Sequence, residues 1–279
     1  MSTNTENGFL GHPKGLMTLF FSEMWERTCY YGMRVLLVLY LTKSLLMGDA
    51  EASLLYGAYT ALIYAAPVLG GRLADRYLGY RMAILVGAIL MVIGEFLIIG
   101  GGESFLVYGM GALILGNGYF KANISTIVGK LYEENDPRRD SGFTIFYMGI
   151  NLGAFMASIF CGYLGIVHGW KYGFGLAGIG MLLGLIIFLS CQDWLDGKAE
   201  PPSMEKLKKK VFLSINVEWA CYLAGLGIVA LSMFLVKNEE LVGGILGPIG
   251  LLMMIGLLSY TGLRLHGDER ARMFAALYF

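Results

Sequence analysis

The sequence predicts an all-α polytopic membrane protein: an N-terminal six-helix bundle followed by two additional helices. Three observations carry this expectation. The 279-residue chain is 56% hydrophobic and only 15% charged, against about a quarter charged in ordinary globular domains. Its mean hydropathy is +0.62, with apolar residues gathered into runs near the length of about 20 that spans a bilayer. Forty glycines supply the small residues that let membrane helices approach closely. The zero net charge gives no sign of a nucleic-acid partner. Cys29, Cys161, Cys191 and Cys221 lie in or beside apolar runs, with no CxxC and no nearby histidine. They read as reduced, buried, small apolar residues and not as disulfides or zinc ligands. The start MSTNTENGFLGHPKG is polar and lacks the basic opening of a cleavable signal peptide.

Along the chain, a cytoplasmic tail (1–16) precedes a six-helix unit (17–191) with helices near 17–42, 54–72, 82–100, 105–129, 142–166 and 172–191. A polar, proline-containing cytoplasmic linker (192–211) follows. Two more helices near 212–236 and 242–263 form the next unit (212–263). Residues 264–279 read as a cytoplasmic loop, RLHGDERAR, and the beginning of another helix, MFAALYF. Basic residues set the orientation. Lys14, the 72–81 loop with Arg72, Arg76 and Arg81, the 130–139 loop with Lys130, Arg138 and Arg139, and the five lysines of 198–210 all fall on one side. The opposite loops of the first six helices hold only Lys43 and Lys171. The N-terminus is therefore expected in the cytoplasm, and the linker lysines read as a topology signal at the lipid headgroups.

The first helix contains SEMWERTCYYGMR (22–34), with two glutamates and two arginines inside an apolar segment. A central ionised residue costs about 2.5–3.5 kcal/mol on insertion scales, so such charges must pair or line a wet cavity. At about 100° per residue, Glu23, Glu26, Arg27, Tyr30, Tyr31 and Arg34 share an arc of about 140°, while Trp25, Cys29, Met33 and Leu36 hold the opposite side. The polar face is expected to meet a cavity. Other helices add polar groups: Asn117, Lys121 and Asn123 in GNGYFKANIST, Tyr147 and Asn151 in FYMGINLGA, and Tyr64 before a kink at Pro67. Glu95 in VIGEFLI is expected to snorkel outward from the end of the third helix. His12 and His168 fall outside the spans, so any proton carried through the membrane is expected on carboxylates.

These residues resemble a known family. EMWERTCYYGMR is similar to the ExxER…YYG motif of the proton-coupled oligopeptide transporter family, a branch of the major facilitator superfamily. GGRLADRYLGYR resembles its loop between helices two and three, and FYMGINLGA its fifth-helix signature. The resemblance covers essentially the whole chain, with the two helices after Lys210 resembling the extra pair of bacterial members. It implies a bacterial inner-membrane, multi-pass symporter of di- and tripeptides. It assigns proton coupling to Glu23, Glu26, Arg27 and Lys121, and substrate binding to Arg34, Tyr30, Tyr31, Tyr64, Asn151 and Lys121. Lys121 would switch a salt bridge with an acid of the other half. Thr28 departs from the family's usual aromatic; at 140° it lies off the polar arc, so a packing change is expected. The chain lacks the second-helix histidine of animal members, in keeping with carboxylate coupling. Asp75 and Arg76 form the gating loop, where an acid beside a tight turn can cap a helix or exchange partners between states.

Two carboxylates against three cations leave this half one positive charge, which suits a peptide carboxylate. The acid for the peptide ammonium is expected from a C-terminal six-helix bundle beyond Phe279, so this chain is expected to be inactive alone. Its partners are a peptide, protons and membrane lipid; no cofactor beyond the proton and no metal are expected. A major facilitator transporter of nitrate or an organic acid is the alternative. An enzyme is not expected, since no span carries an aspartate and no GxSG accompanies a membrane histidine.

Overall fold

The computed structural model describes residues 8–212 and 215–278; the first seven residues of the expected tail, residues 213 and 214 at the start of the helix expected near 212–236, and Phe279 lie outside it. Helix α1 (Gly15–Lys43) is the axis of the first unit. It packs against α5 (Arg139–Met156) and α7 (Trp170–Ser190), while α4 (Glu103–Lys130) packs against α2 (Asp49–Leu73) and α3 (Gly79–Ile99). Helices α2 and α3 join through a π-helical turn, Ala74–Leu78. Helix α5 continues through a second such turn, Ala157–Cys161, into α6 (Gly162–Val167). Helix α2 runs through Pro67 without a break.

Among the described residues, Asp49–Ile99, Arg139–Val167, Trp170–Ser190, Val217–Lys237 and Glu240–Leu263 are long and apolar enough to cross a membrane. Helices α1 and α4, at 29 and 28 residues, have the length as well, but hold polar side chains in their interiors. Glycine makes the closest approaches possible. A Cβ on Gly153 would stand 2.2 Å from the Met24 carbonyl oxygen, and one on Gly70 would stand 2.1 Å from that of Gly118. These contacts press α5 onto α1 beside Arg27, and α2 onto α4 beside Lys121.

The N-terminal end of α1 is tied down. His12 is buried and its Nδ1 lies 2.8 Å from the Tyr132 hydroxyl, and Arg138 donates to the Gly11 carbonyl at 2.8 Å. The polar linker is docked on the same face of the bundle. Leu195, Ala199 and Leu207 are buried, the Arg81 N–H donates to the Ala199 carbonyl at 2.9 Å, and the Arg81 guanidinium pairs with Glu200 at 2.7 Å. Gly79, at φ 73°, takes a left-handed turn directly against Glu200 and Pro201. These contacts were not legible as a pattern because the linker's apolar residues, among them Trp194, Leu195, Ala199, Met204 and Leu207, are scattered among polar ones with no helical or strand period.

A five-residue helix α8 (Met204–Lys208) is capped by the Ser203 hydroxyl. Strands β1 (Lys210–Phe212) and β2 (Ile215–Asn216) pair antiparallel, Lys210 opposite Asn216. The Asn216 side chain caps α9 (Val217–Lys237), which lies on α4, where the Tyr119 hydroxyl donates to the Cys221 carbonyl at 3.5 Å. Helix α10 (Glu239–Leu263) touches α2 and exposes most of its surface. Helix α11 (Gly267–Tyr278) follows. Among the described residues all four cysteines are free; three are buried and Cys191 is half-buried.

Candidate functional site

The polar arc of α1 divides in two. Its first half is a closed ionic knot. Arg27 sits between two carboxylates, Nε 3.2 Å from Glu23 Oε1 and hydrogen-bonded to Glu26 Oε2. The other Glu26 oxygen accepts from the Asn117 side-chain amide of α4 at 2.9 Å. The Arg27 guanidinium also lies over the Tyr30 ring, 5.1 Å from its centroid. Glu23, Glu26, Arg27 and Asn117 are each at most 3% exposed. The expectation that this face meets a cavity is thus corrected for Glu23, Glu26 and Arg27: packing by α4 and α5 closes it. Mutual pairing, in place of water, offsets the desolvation of the charges. The pairing is incomplete, with Glu23 Oε2 and Arg27 Nη2 buried without hydrogen-bond partners among the described residues. Thr28 bonds the carbonyls of Met24 and Gly153 at 2.9 and 3.3 Å, joining α1 to α5 outside the knot.

The second half is an open wall. Arg34, half-buried, donates from Nε to the Tyr56 hydroxyl, its guanidinium 5.8 Å from that ring's centroid. Lys121 Nζ stands 4.5 Å above the centroid of the Tyr64 ring. Tyr64, 52% exposed, lies within electrostatic reach of Lys121, Arg34 and Arg27. Lys121 in turn reaches Arg27, Glu26 and Glu23. Tyr30 is buried and Tyr31 half-buried, their rings edge-to-face at 5.0 Å. The structure thus brings Arg34, Tyr30, Tyr64 and Lys121 onto one surface above the knot. Asn151 is exposed on α5, and its side chain folds back on the Tyr147 carbonyl at 3.1 Å. No described hydrogen bond joins it to the other candidates.

Asp75 and Arg76 occupy the π turn between α2 and α3, both exposed, and Asp75 accepts from the Tyr80 hydroxyl at 2.9 Å. Two residues of the knot and the wall had no role assigned from sequence. Asn117 stands one turn before Lys121. Tyr56 falls on the stripe Tyr56, Thr60, Tyr64, whose four-residue spacing on α2 marks a shared face. Glu95 is a correction. It is fully buried between α1 and α7 and does not snorkel. Oε1 accepts from Cys29 Sγ at 3.4 Å, and the Cβ position of Gly178 lies 3.1 Å from the Glu95 Cβ. Helix α7 covers the position that a snorkelling side chain would need.

A six-helix bundle with a sealed ionic knot opening onto a polar wall, flanked by two helices with exposed apolar surfaces, defines the class: a polytopic helical membrane protein of the major facilitator type. The family model described as PTR2, the POT family, matches residues 81–237. The chain is 37% identical over 264 residues to the uncharacterized transporter YclF of Bacillus subtilis (strain 168), covering 92% of this chain and 51% of that protein. It is 33% identical over 269 residues to the dipeptide and tripeptide permease A of Escherichia coli (strain K12), covering 95% and 52%. Among solved structures it superposes with a TM-score of 0.76, at 35% identity, on a mutant peptide transporter POT in complex with alafosfalin, covering 98% of this chain and 57% of that one. A POT family transporter in complex with 5-aminolevulinic acid gives 0.76 at 33% identity, with 96% and 57% covered. The chain belongs to the POT family. It spans about half the length of the curated relatives it matches.

Proposed function

We propose that this chain supplies the N-terminal wall of a proton-coupled symporter that imports di- and tripeptides by alternating access. The observation that carries this reading is the continuity of the sealed Glu23–Arg27–Glu26–Asn117 knot with a wall that presents Arg34 and Lys121. Two carboxylates can each take a proton, and each proton taken removes one of the two anions that hold Arg27. Arg34, a planar fork with donors to spare beyond Tyr56, suits a peptide carboxylate. A proton neutralising Glu23 or Glu26 frees Arg27, or the Lys121 within its reach, to re-pair. The wall's charge then changes while substrate is held, and a bundle rocking about this midplane site couples the two events. The counter-acid for Lys121 and for the peptide ammonium is assigned to a further six-helix bundle. The basic loops support a reading in which the N-terminus and the docked linker face the cytoplasm across a bacterial inner membrane, with Asp75 and Arg76 assigned to the cytoplasmic gate. The proton is the coupling ion, and the reading needs no other cofactor.

The test uses the transporter that carries this sequence, in proteoliposomes under an imposed pH gradient, inside alkaline. Labelled dipeptide should accumulate, unlabelled di- and tripeptides should compete, and nitrate or organic acids should not. Competition by nitrate or organic acids in place of peptides would overturn the reading in favour of a transporter of small anions.

A further inference from the structure

Among the described residues, the knot leaves one buried carboxyl unused. Glu95 lies on α3 near the end remote from the N-terminus of α1, fully buried, one helical turn from Ile98. Its Oε1 accepts from Cys29 Sγ at 3.4 Å, and its Oε2 is buried with no hydrogen-bond partner among the described residues. The groups around it are known element by element. Helix α1 presents the Cys29 thiol, α2 the Tyr59 hydroxyl, and the π turn of 157–161 the Cys161 thiol. Helix α7 presents Gly178, and α4 packs Gly109 and Leu113 against the neighbouring Gly94. None of the described groups facing the carboxyl is a cation. An ionised carboxylate in such a place would be uncompensated, which costs far more than burying the neutral acid. Glu23 and Glu26 share Arg27; Glu95 shares nothing of the kind.

A cavity of about 450 Å³ opens one turn beyond it, lined by Tyr40, Ser44, Ile98, His168, Lys171 and Phe174 among others. Ile98 and Phe174, 2% and 1% exposed, are the apolar plug between this cavity and the carboxyl. Tyr40, His168, Lys171 and Tyr172 are its titratable lining groups, on the face opposite the docked linker.

We propose that Glu95 is a second proton site of this protein, filled from the cavity at the far end of α1 and separate from the Glu23–Glu26 knot. Resting on the symport reading above, it assigns the chain a further carboxyl that travels loaded. A proton from cavity water forms an O–H bond at Oε2 when the Ile98–Phe174 plug parts. It returns to water when α1 and α7 next separate around the carboxyl. Cys29 positions the acid by donating to Oε1, the carbonyl oxygen of the loaded form.

The experiment joins two readouts on the reconstituted transporter. Infrared spectra of the wild type should contain a protonated-carboxyl carbonyl band that Glu95→Gln removes. Cys29→Ala, which takes away the donor to that carbonyl, should move the band to higher wavenumber. Peptide accumulation against a series of imposed pH gradients should give a proton-to-peptide ratio lower by one proton in Glu95→Gln, with peptide exchange retained. A wild type without the band, or a Glu95→Gln protein with the wild-type ratio, overturns the proposal. If the Gln variant does not fold, an unshifted band in Cys29→Ala overturns it. A wild type that shows no proton-driven uptake would sink the symport reading instead, while the infrared band would still judge Glu95.

Discussion

The two halves of the α1 polar arc share one helix face and live in different solvents. Glu23, Glu26 and Arg27 are sealed and must satisfy one another, whereas Arg34, with Lys121 and Tyr64 from neighbouring helices, is supported by aromatic rings and left open. The sealed half has few alternative partners, so each proton or charge change there is felt by the whole group. The open half can exchange its partners at modest cost. The proposed coupling device and binding surface need these opposite properties, and helix packing separates them within three turns.

The sharpest way to break the comparison is Glu26→Gln, which keeps the shape and removes the titratable charge. Proton-driven peptide accumulation should be lost while exchange of peptide down its own gradient persists; accumulation at the wild-type level would remove Glu26 from coupling. Arg27→Ala strands two buried carboxylates and should destabilise the protein by about 3–5 kcal/mol, read as a lower midpoint in thermal unfolding in detergent. An unchanged midpoint would mean the knot is wetter than its burial implies.

In the open half the effects should fall on binding and spare folding. Arg34→Ala removes a charge-assisted contact worth about 1.5–3 kcal/mol, so peptide affinity should fall about ten- to a hundredfold with little change in unfolding. Tyr56→Phe deletes only the hydroxyl that orients Arg34 and should cost about 0.5–1.5 kcal/mol of the same affinity. A Tyr56→Phe loss as large as that of Arg34→Ala would show that the tyrosine itself holds substrate.

The smallest effect is expected outside both halves. Asp136, in the loop between α4 and α5, is held down to about 2 by its hydrogen bonds and ion pair with Arg138. A depressed carboxyl adds stability above its unfolded-state pKa and loses it as pH falls through the folded value. This pair therefore titrates only in strong acid, and Asp136→Asn should leave the pH profile of transport near neutrality unchanged. A displaced profile would place this loop in the coupling pathway.

Much of the site was legible from residue order alone, because α-helical periodicity converts sequence spacing into a face. The arc from Glu23 to Arg34 and the positions of Lys121 and Tyr64 on neighbouring helices follow from that geometry. Tyr56 was legible too, as the first member of the Tyr56–Thr60–Tyr64 stripe, but a tyrosine near a helix end reads equally as an interfacial residue. Burial was not legible. Glu95 and Glu26 each stand in an apolar stretch, and nothing local says that α7 covers one and that Asn117 reaches the other.

The sequence by itself determined the class: apolar runs of bilayer length, basic loops on one side and a charged arc that no lipid would tolerate. Only the tertiary structure decided which part of that arc is dry, which is wet, and that the polar linker docks on Gly79 and Arg81. The reason is physical. Periodicity and composition act within one helix, whereas desolvation of a charge depends on how closely its neighbours approach. That approach is set by glycines such as Gly153 and Gly70 meeting backbone from helices far away in the chain.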